Sequence, residues 1–62
     1  MRSYAGYMVE FDGIDGAEEK HYATDNLEEL IEWVENDLRE LGGGHADIFD
    51  EWTGDYVAYV EI

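Results

Sequence analysis

At 62 residues the chain has room for one domain, and its 17 Asp and Glu against three Lys and Arg give a formal net charge of -14. Nucleic acid and anionic membranes are polyanions, so that balance excludes them as direct ligands and points to basic partners. The chain has no cysteine, which removes disulfides and thiolate zinc sites, while 45% hydrophobic residues, with two Trp, five Tyr and two Phe, argue against acidic disorder. A domain this small buries only about 60% of the surface its unfolded chain exposes, so its stability is marginal and a partner or second copy is the expected staple.

From Ser3 to Asp12 the sequence alternates, with Ala5, Tyr7, Val9 and Phe11 on one side and Tyr4, Gly6, Met8, Glu10 and Asp12 on the other. That is the period of a half-buried strand. Asp12-Gly13-Ile14-Asp15-Gly16 supplies Asp-Gly twice, a hairpin signal because Gly accepts positive φ and Asp bonds its own backbone. A four-residue loop pairs Asp12 with Ala17 and sets Tyr22 opposite Tyr7 on the inner face. Residues 18–24 form the return strand, and their charges suit a sheet edge.

Asp25 is the expected helix cap, with Glu28 bonding back to it, and Thr24 is the alternative. Leu27, Leu30, Ile31, Val34, Leu38 and Leu41 fall in one arc of the helical wheel and predict a single buried stripe. Gly42, Gly43 and Gly44 stop the helix. His45 to Trp52 reads as a third strand, with Ala46, Ile48 and Trp52 on one side and Asp47, Phe49 and Glu51 on the other. Thr53-Gly54-Asp55 turns the chain into a fourth strand, Tyr56 to Ile62, with Tyr56, Ala58, Val60 and Ile62 inward.

The expected fold is α+β, one domain over residues 1–62 in the order ββαββ. Its four-stranded, mainly antiparallel sheet carries the helix on one face. Strands one and four, the most apolar, are placed at the centre. The opposite face then shows Tyr4, Met8, Phe49, Val57 and Tyr59 among Glu10, Asp47, Glu51 and Glu61. Either the aromatics shield one another as cross-strand pairs, or this is a homodimer or docking face. Single-stranded RNA is excluded there, because stacking rings need a basic groove around them.

Motifs for chemistry are absent. DGIDGAEE, residues 12–19, lacks the ligand spacing of a calcium-binding EF-hand, and His21 and His45 show no metal-ligand spacing. Ser3 is the lone serine, so nucleophilic triads have little to build on. GGG follows a helix rather than opening one, so it is no anion cradle. The expectation is a protein without enzymatic activity, metal or cofactor. MRSYAGYMVEF is neither a secretory signal nor a membrane span, which makes a soluble cytoplasmic protein the expectation.

Off its apolar stripe the helix carries Asp25, Glu28, Glu29, Glu32, Glu35, Asp37 and Glu40. Glu35 with Arg39 is the favourable i,i+4 pair, whereas Asp25 with Glu29 and Glu28 with Glu32 repel, at roughly a few tenths of a kcal/mol each. From Asp25 to Glu40 the helix rises about 22 Å, with a carboxylate roughly every 3 Å, close to the phosphate spacing of about 3.4 Å along a DNA strand. The net charge also exceeds the roughly 2 to 8 that keeps a small domain soluble. Trp33 falls at the border of stripe and acids, either half-buried or an aromatic anchor for a partner.

In its length, its charge, its lack of Cys and Pro and its ELIEWVENDLRE helix, the chain resembles the small acidic DNA mimics of bacteriophages, anti-CRISPR proteins among them. The resemblance is one of profile across the whole chain, and that group shares no single fold. It implies a stoichiometric inhibitor acting in the host cytoplasm on a basic nucleic-acid-binding defence complex such as a CRISPR effector. The partner-binding residues would then be Glu28, Glu29, Glu32, Trp33, Glu35, Asp37 and Glu40. Composition alone also supports a second reading, a halophilic or generic acidic adaptor that homodimerises through its sheet face.

Overall fold

Alternation in GYMVEFDG produces strand β1 (Gly6–Gly13), which buries Val9 and Phe11 and packs Tyr7 at the margin of the core. The computed structural model describes residues 6–62, so Ser3, Tyr4 and Ala5 at the expected start of this strand lie outside the described residues. Strand β2 (Gly16–Ala23) returns with Asp12 opposite Ala17 and Tyr7 opposite Tyr22, as the turn chemistry predicts. The ladder continues to Gly13 opposite Gly16, leaving only Ile14 and Asp15 as the connection.

Helix α1 (Leu27–Glu40) starts one residue later than an Asp25 cap requires. Asn26 Oδ1 accepts the Glu29 N–H at 3.1 Å, and the Asn26 N–H donates to Thr24 Oγ1 at 3.1 Å. With Asn26 as the cap, Glu29 takes the third helical position and Glu28 falls one short of a capping box. Leu30, Val34 and Leu38 are fully buried, Ile31 and Leu41 pack beside them, and Leu27, in the first turn, is exposed.

The glycine run does more than stop the helix. Gly43 N–H donates to Leu38 O at 2.9 Å and Gly42 N–H to Arg39 O at 3.0 Å, the paired bonds of a Schellman cap, with Gly42 at φ 81°. The hairpin turn docks on this end of the helix: Ile14 N–H donates to Gly43 O and Asp15 N–H to Leu41 O, both at 2.9 Å. Gly44 opens strand β3 (Gly44–Asp50) and exchanges two backbone bonds with Ile62, at 2.9 and 3.1 Å. Helix end, first hairpin and last strand therefore meet at Gly42–Gly44.

Strand β4 (Tyr56–Glu61) completes an antiparallel sheet in the order β2-β1-β3-β4. The centre is thus β1 and β3, not β1 and β4. β3 reads as polar because His45 and Asp47 share the face away from the helix, but its helix-side residues Ala46 and Ile48 are fully buried. The apolar look of β4 comes from side chains on both of its faces.

Two expected orientations are reversed by a bulge. Ile48 pairs with Ala58 but Phe49 pairs with Tyr56, so Val57 has no partner in the ladder. An extra residue in an alternating strand exchanges faces beyond it. Val57 accordingly packs against the core, while Tyr56 turns to the uncovered face. Nor does β3 reach Trp52: Asp50 Oδ1 accepts the Trp52 N–H at 2.7 Å and the Thr53 N–H at 3.2 Å, turning the chain, and Trp52 is 57% exposed rather than inward. Ile62 is likewise exposed, held by its backbone.

Gly44 has φ 130°, and a Cβ there would overlap the Asp12 carbonyl oxygen, whereas Gly54 has φ 81° with open space around it. Gly44→Ala is expected to leave the chain unfolded at room temperature by circular dichroism, while Gly54→Ala loses about 1 kcal/mol, the left-handed backbone term alone.

Candidate functional site

The exposed crest of α1 follows from where its apolar stripe docks. Glu28, Glu29, Glu32 and Glu40 are exposed and Glu35 is half-buried at the flank. Four of these acids fall in the first two and a half turns, on one rigid element. Arg39, expected to pair with Glu35, instead donates to Asn36 Oδ1 at 3.1 Å. Asn36 and Arg39 thus interrupt the acidic strip between Glu32 and Glu40.

Two of the expected partner-binding residues do a different job. The Asp37 carboxylate accepts the Tyr22 hydroxyl and lies 3.5 Å from Lys20 Nζ, and the Trp33 ring stacks on Tyr22 with centroids 6.2 Å apart. Lys20 also stands 3.7 Å from Glu18 and lies 5.8 Å from the centre of the Phe11 ring. Together these side chains clamp α1 onto the edge strand β2, where the sheet has little aliphatic surface to offer. Burial, and then the bond to Asp37, pushes the Tyr22 hydroxyl well above the ordinary tyrosine pKa, so it remains a donor throughout the working pH range. The clamp was partly visible in advance: Tyr22 and Lys20, two apart, must share the inner face once Tyr22 opposes Tyr7.

On the uncovered side of the sheet, register lays the side chains in rows. Met8 lies between His21 and Phe49, with Tyr56 beyond. The next row is Glu19, Glu10, Asp47 and Tyr59, and the one after it carries Asp12, His45 and Glu61. Of the expected docking face, Met8, Phe49 and Tyr59 are here, Tyr56 stands in the role given to Val57, and Tyr4 lies outside the described residues. Phe49 and Tyr56 meet edge to face at 5.4 Å, and the His45 ring stacks on Tyr59 at 5.7 Å. Mutual shielding by aromatic pairs is therefore real, yet Tyr56 and Tyr59 each remain more than half exposed. The Trp52 indole lies over Gly6, 3.6 Å from where a Cβ would stand.

The two histidines are kept apart by this register. His21 engages the Glu51 carboxylate through Nδ1 and Glu19 through Nε2 at 3.3 Å, while His45 Nε2 lies 3.7 Å from Asp12. Among the described residues no group of three His, Asp or Glu is placed to hold a metal ion, and no helix is long and apolar enough to cross a membrane. No protein-family model matches the chain, and neither a curated protein nor a solved structure matches it.

The bond to Glu51, reinforced by Glu19, raises the His21 pKa above the ordinary histidine value. Because the folded value is the higher one, this contact stabilises fully below about pH 6.5 and is lost as pH rises through the raised value. An NMR titration should find the His21 midpoint above that of a model histidine, with Glu51→Gln lowering it. Tyr22→Phe removes a bond to a carboxylate and should lower the unfolding free energy by about 1.5 kcal/mol in urea. An unchanged urea midpoint would remove the hydroxyl from the account of how α1 is held.

Proposed function

We propose that this chain is a non-enzymatic inhibitor that acts by acidic-surface DNA mimicry on a basic nucleic-acid-binding protein or complex. A host defence complex such as a CRISPR effector, in a host cell invaded by phage, is the proposed target, in keeping with the profile the sequence resembles. The observation that carries this reading is the placement of Glu28, Glu29 and Glu32 along one exposed stretch, with Glu35 half-buried at its flank, on a helix whose opposite stripe is locked into the core.

Carboxylates on a flexible tail could neutralise a basic groove only by losing conformational freedom. On α1 they are already ordered, at a rise of about 1.5 Å per residue, so a Lys- and Arg-lined channel meets charge at nearly the density of a phosphate strand. Glu28 and Glu29 favour the helix dipole in the first turn, but Glu32 repels Glu28 at i,i+4, so the acids beyond the first turn are better explained by a partner than by stability. The interacting set in this reading is Glu28, Glu29, Glu32 and Glu35, with Glu40 beyond the Arg39 interruption. Trp33 and Asp37 contribute by fixing the helix.

The test is capture of basic nucleic-acid-binding proteins from a bacterial lysate on the immobilised chain, followed by elution with salt and with duplex DNA. Elution by both, and about a tenfold or greater loss of affinity for the captured protein when Glu28, Glu32 and Glu35 are changed together to Gln, is the expected result. Retention of full affinity by the triple variant, or capture indifferent to DNA, would sink the proposal.

A further inference from the structure

The uncovered sheet face carries two parallel bands of opposite character. One is apolar: Met8 on β1, Phe49 on β3 and Tyr56 on β4, with Tyr56 55% exposed. The adjacent band places Glu19, Glu10 and Asp47 directly opposite one another on three neighbouring strands. Strand spacing sets these carboxylate-bearing positions about 4.8 Å apart, and like charges in directly opposed positions destabilise a sheet. The outer two have local partners, Glu19 in His21 at 3.3 Å and Asp47 in the Tyr56 hydroxyl at 2.9 Å. Glu10, at the middle, is exposed and has an acid on either side.

We infer that this face docks a basic protein segment, with an apolar side chain of the segment against Met8, Phe49 and Tyr56 and an Arg or Lys among Glu19, Glu10 and Asp47. Same-face residues on a strand are two positions apart, which separates the bands by about 6.6 Å. A segment with a cation and an apolar side chain adjacent on one face matches that separation. Charge decides between the occupants. A second copy would bring another chain of formal charge -14 and a second carboxylate row to the same face. A nucleic acid is repelled outright, whereas a cation removes the repulsion within the row and gains the aromatic rings beside it. The inference is independent of the reading of α1, which lies on the other side of the sheet.

The probe is a synthetic peptide repeating Arg-Ser-Leu-Ser, which when extended sets Arg and Leu in turn along one face, titrated at physiological salt into the isotopically labelled full chain and followed by amide chemical shifts. The control has Ser in place of each Leu, with the same Arg spacing and equal charge. Shifts are expected at Met8, Glu10, Asp47, Phe49 and Tyr56, with the control binding at least about tenfold more weakly because it has no apolar side chain for the aromatic band. Glu10→Gln should weaken binding about tenfold and at the same time raise the urea midpoint of the free protein, since one of three opposed carboxylates is gone. The Glu28, Glu32, Glu35 to Gln variant should bind the peptide as the parent does, which separates this site from the helix face. Equal binding of the control, shifts centred on α1, or unchanged affinity in Glu10→Gln would overturn the inference. So would concentration-dependent shifts at the same residues without peptide, which would give the face to a second copy.

Discussion

Seventeen carboxylates repel one another across a small domain, and everything else in the structure is arranged around holding them at the surface. The opposing force is a core of Val9, Phe11, Leu30, Val34, Leu38, Ala46, Ile48 and Val60, closed between one helix and one sheet face. With few basic residues to neutralise the acids, Lys20 and Arg39, the Lys and Arg among the described residues, are placed where they count. Lys20 serves the clamp between α1 and β2, and Arg39 stands in the last turn of the helix, where a positive charge favours the dipole.

Mechanical economy shows in two places. At Gly42–Gly44 the helix end, the turn at Ile14 and Asp15 and the backbone of Ile62 share one set of hydrogen bonds, so a short segment ties three elements together. At the other flank of the helix, Trp33, Asp37, Tyr22 and Lys20 join ring stacking to a charge-assisted bond at the edge of the sheet. Between these ties the stretch from Glu28 to Glu35 is held rigidly, with Glu28 and Glu29 in the first turn favouring the helix dipole. The sheet's uncovered face follows the same logic, with an aromatic band beside a row of opposed acids.

Element order, the hairpin register and most of the core were legible in the sequence, because alternation and the 3.6-residue stripe are direct consequences of burial. The departures each trace to a local interaction that periodicity does not encode. Asn26 outcompetes Asp25 as cap because Thr24 positions its backbone, and Asp50 ends β3 early by capturing two N–H groups. The bulge at Val57 breaks the alternation of an otherwise regular strand and exchanges Tyr56 and Val57 between faces. Strand order was misjudged because total apolarity counts both faces of a strand, whereas the centre of the sheet is decided by the helix side. On the candidate site, the exposed acids of α1 were read directly from the wheel. Trp33 falls on the border of the stripe and is half-buried there, whereas Asp37 reads as one of the outward acids because a wheel angle cannot show that β2 brings Tyr22 and Lys20 up to meet it.

Charge is carried against stability in this fold, and the most direct test is urea unfolding of the whole chain across a NaCl series. Screening shortens from about 10 Å at 0.1 M to about 3 Å at 1 M, so the urea midpoint should climb steadily over that range. The climb should be shallower when Glu28, Glu32 and Glu35 are Gln. A midpoint that stays flat or falls as salt is added would show that the carboxylates do not strain the fold, and would contradict the account.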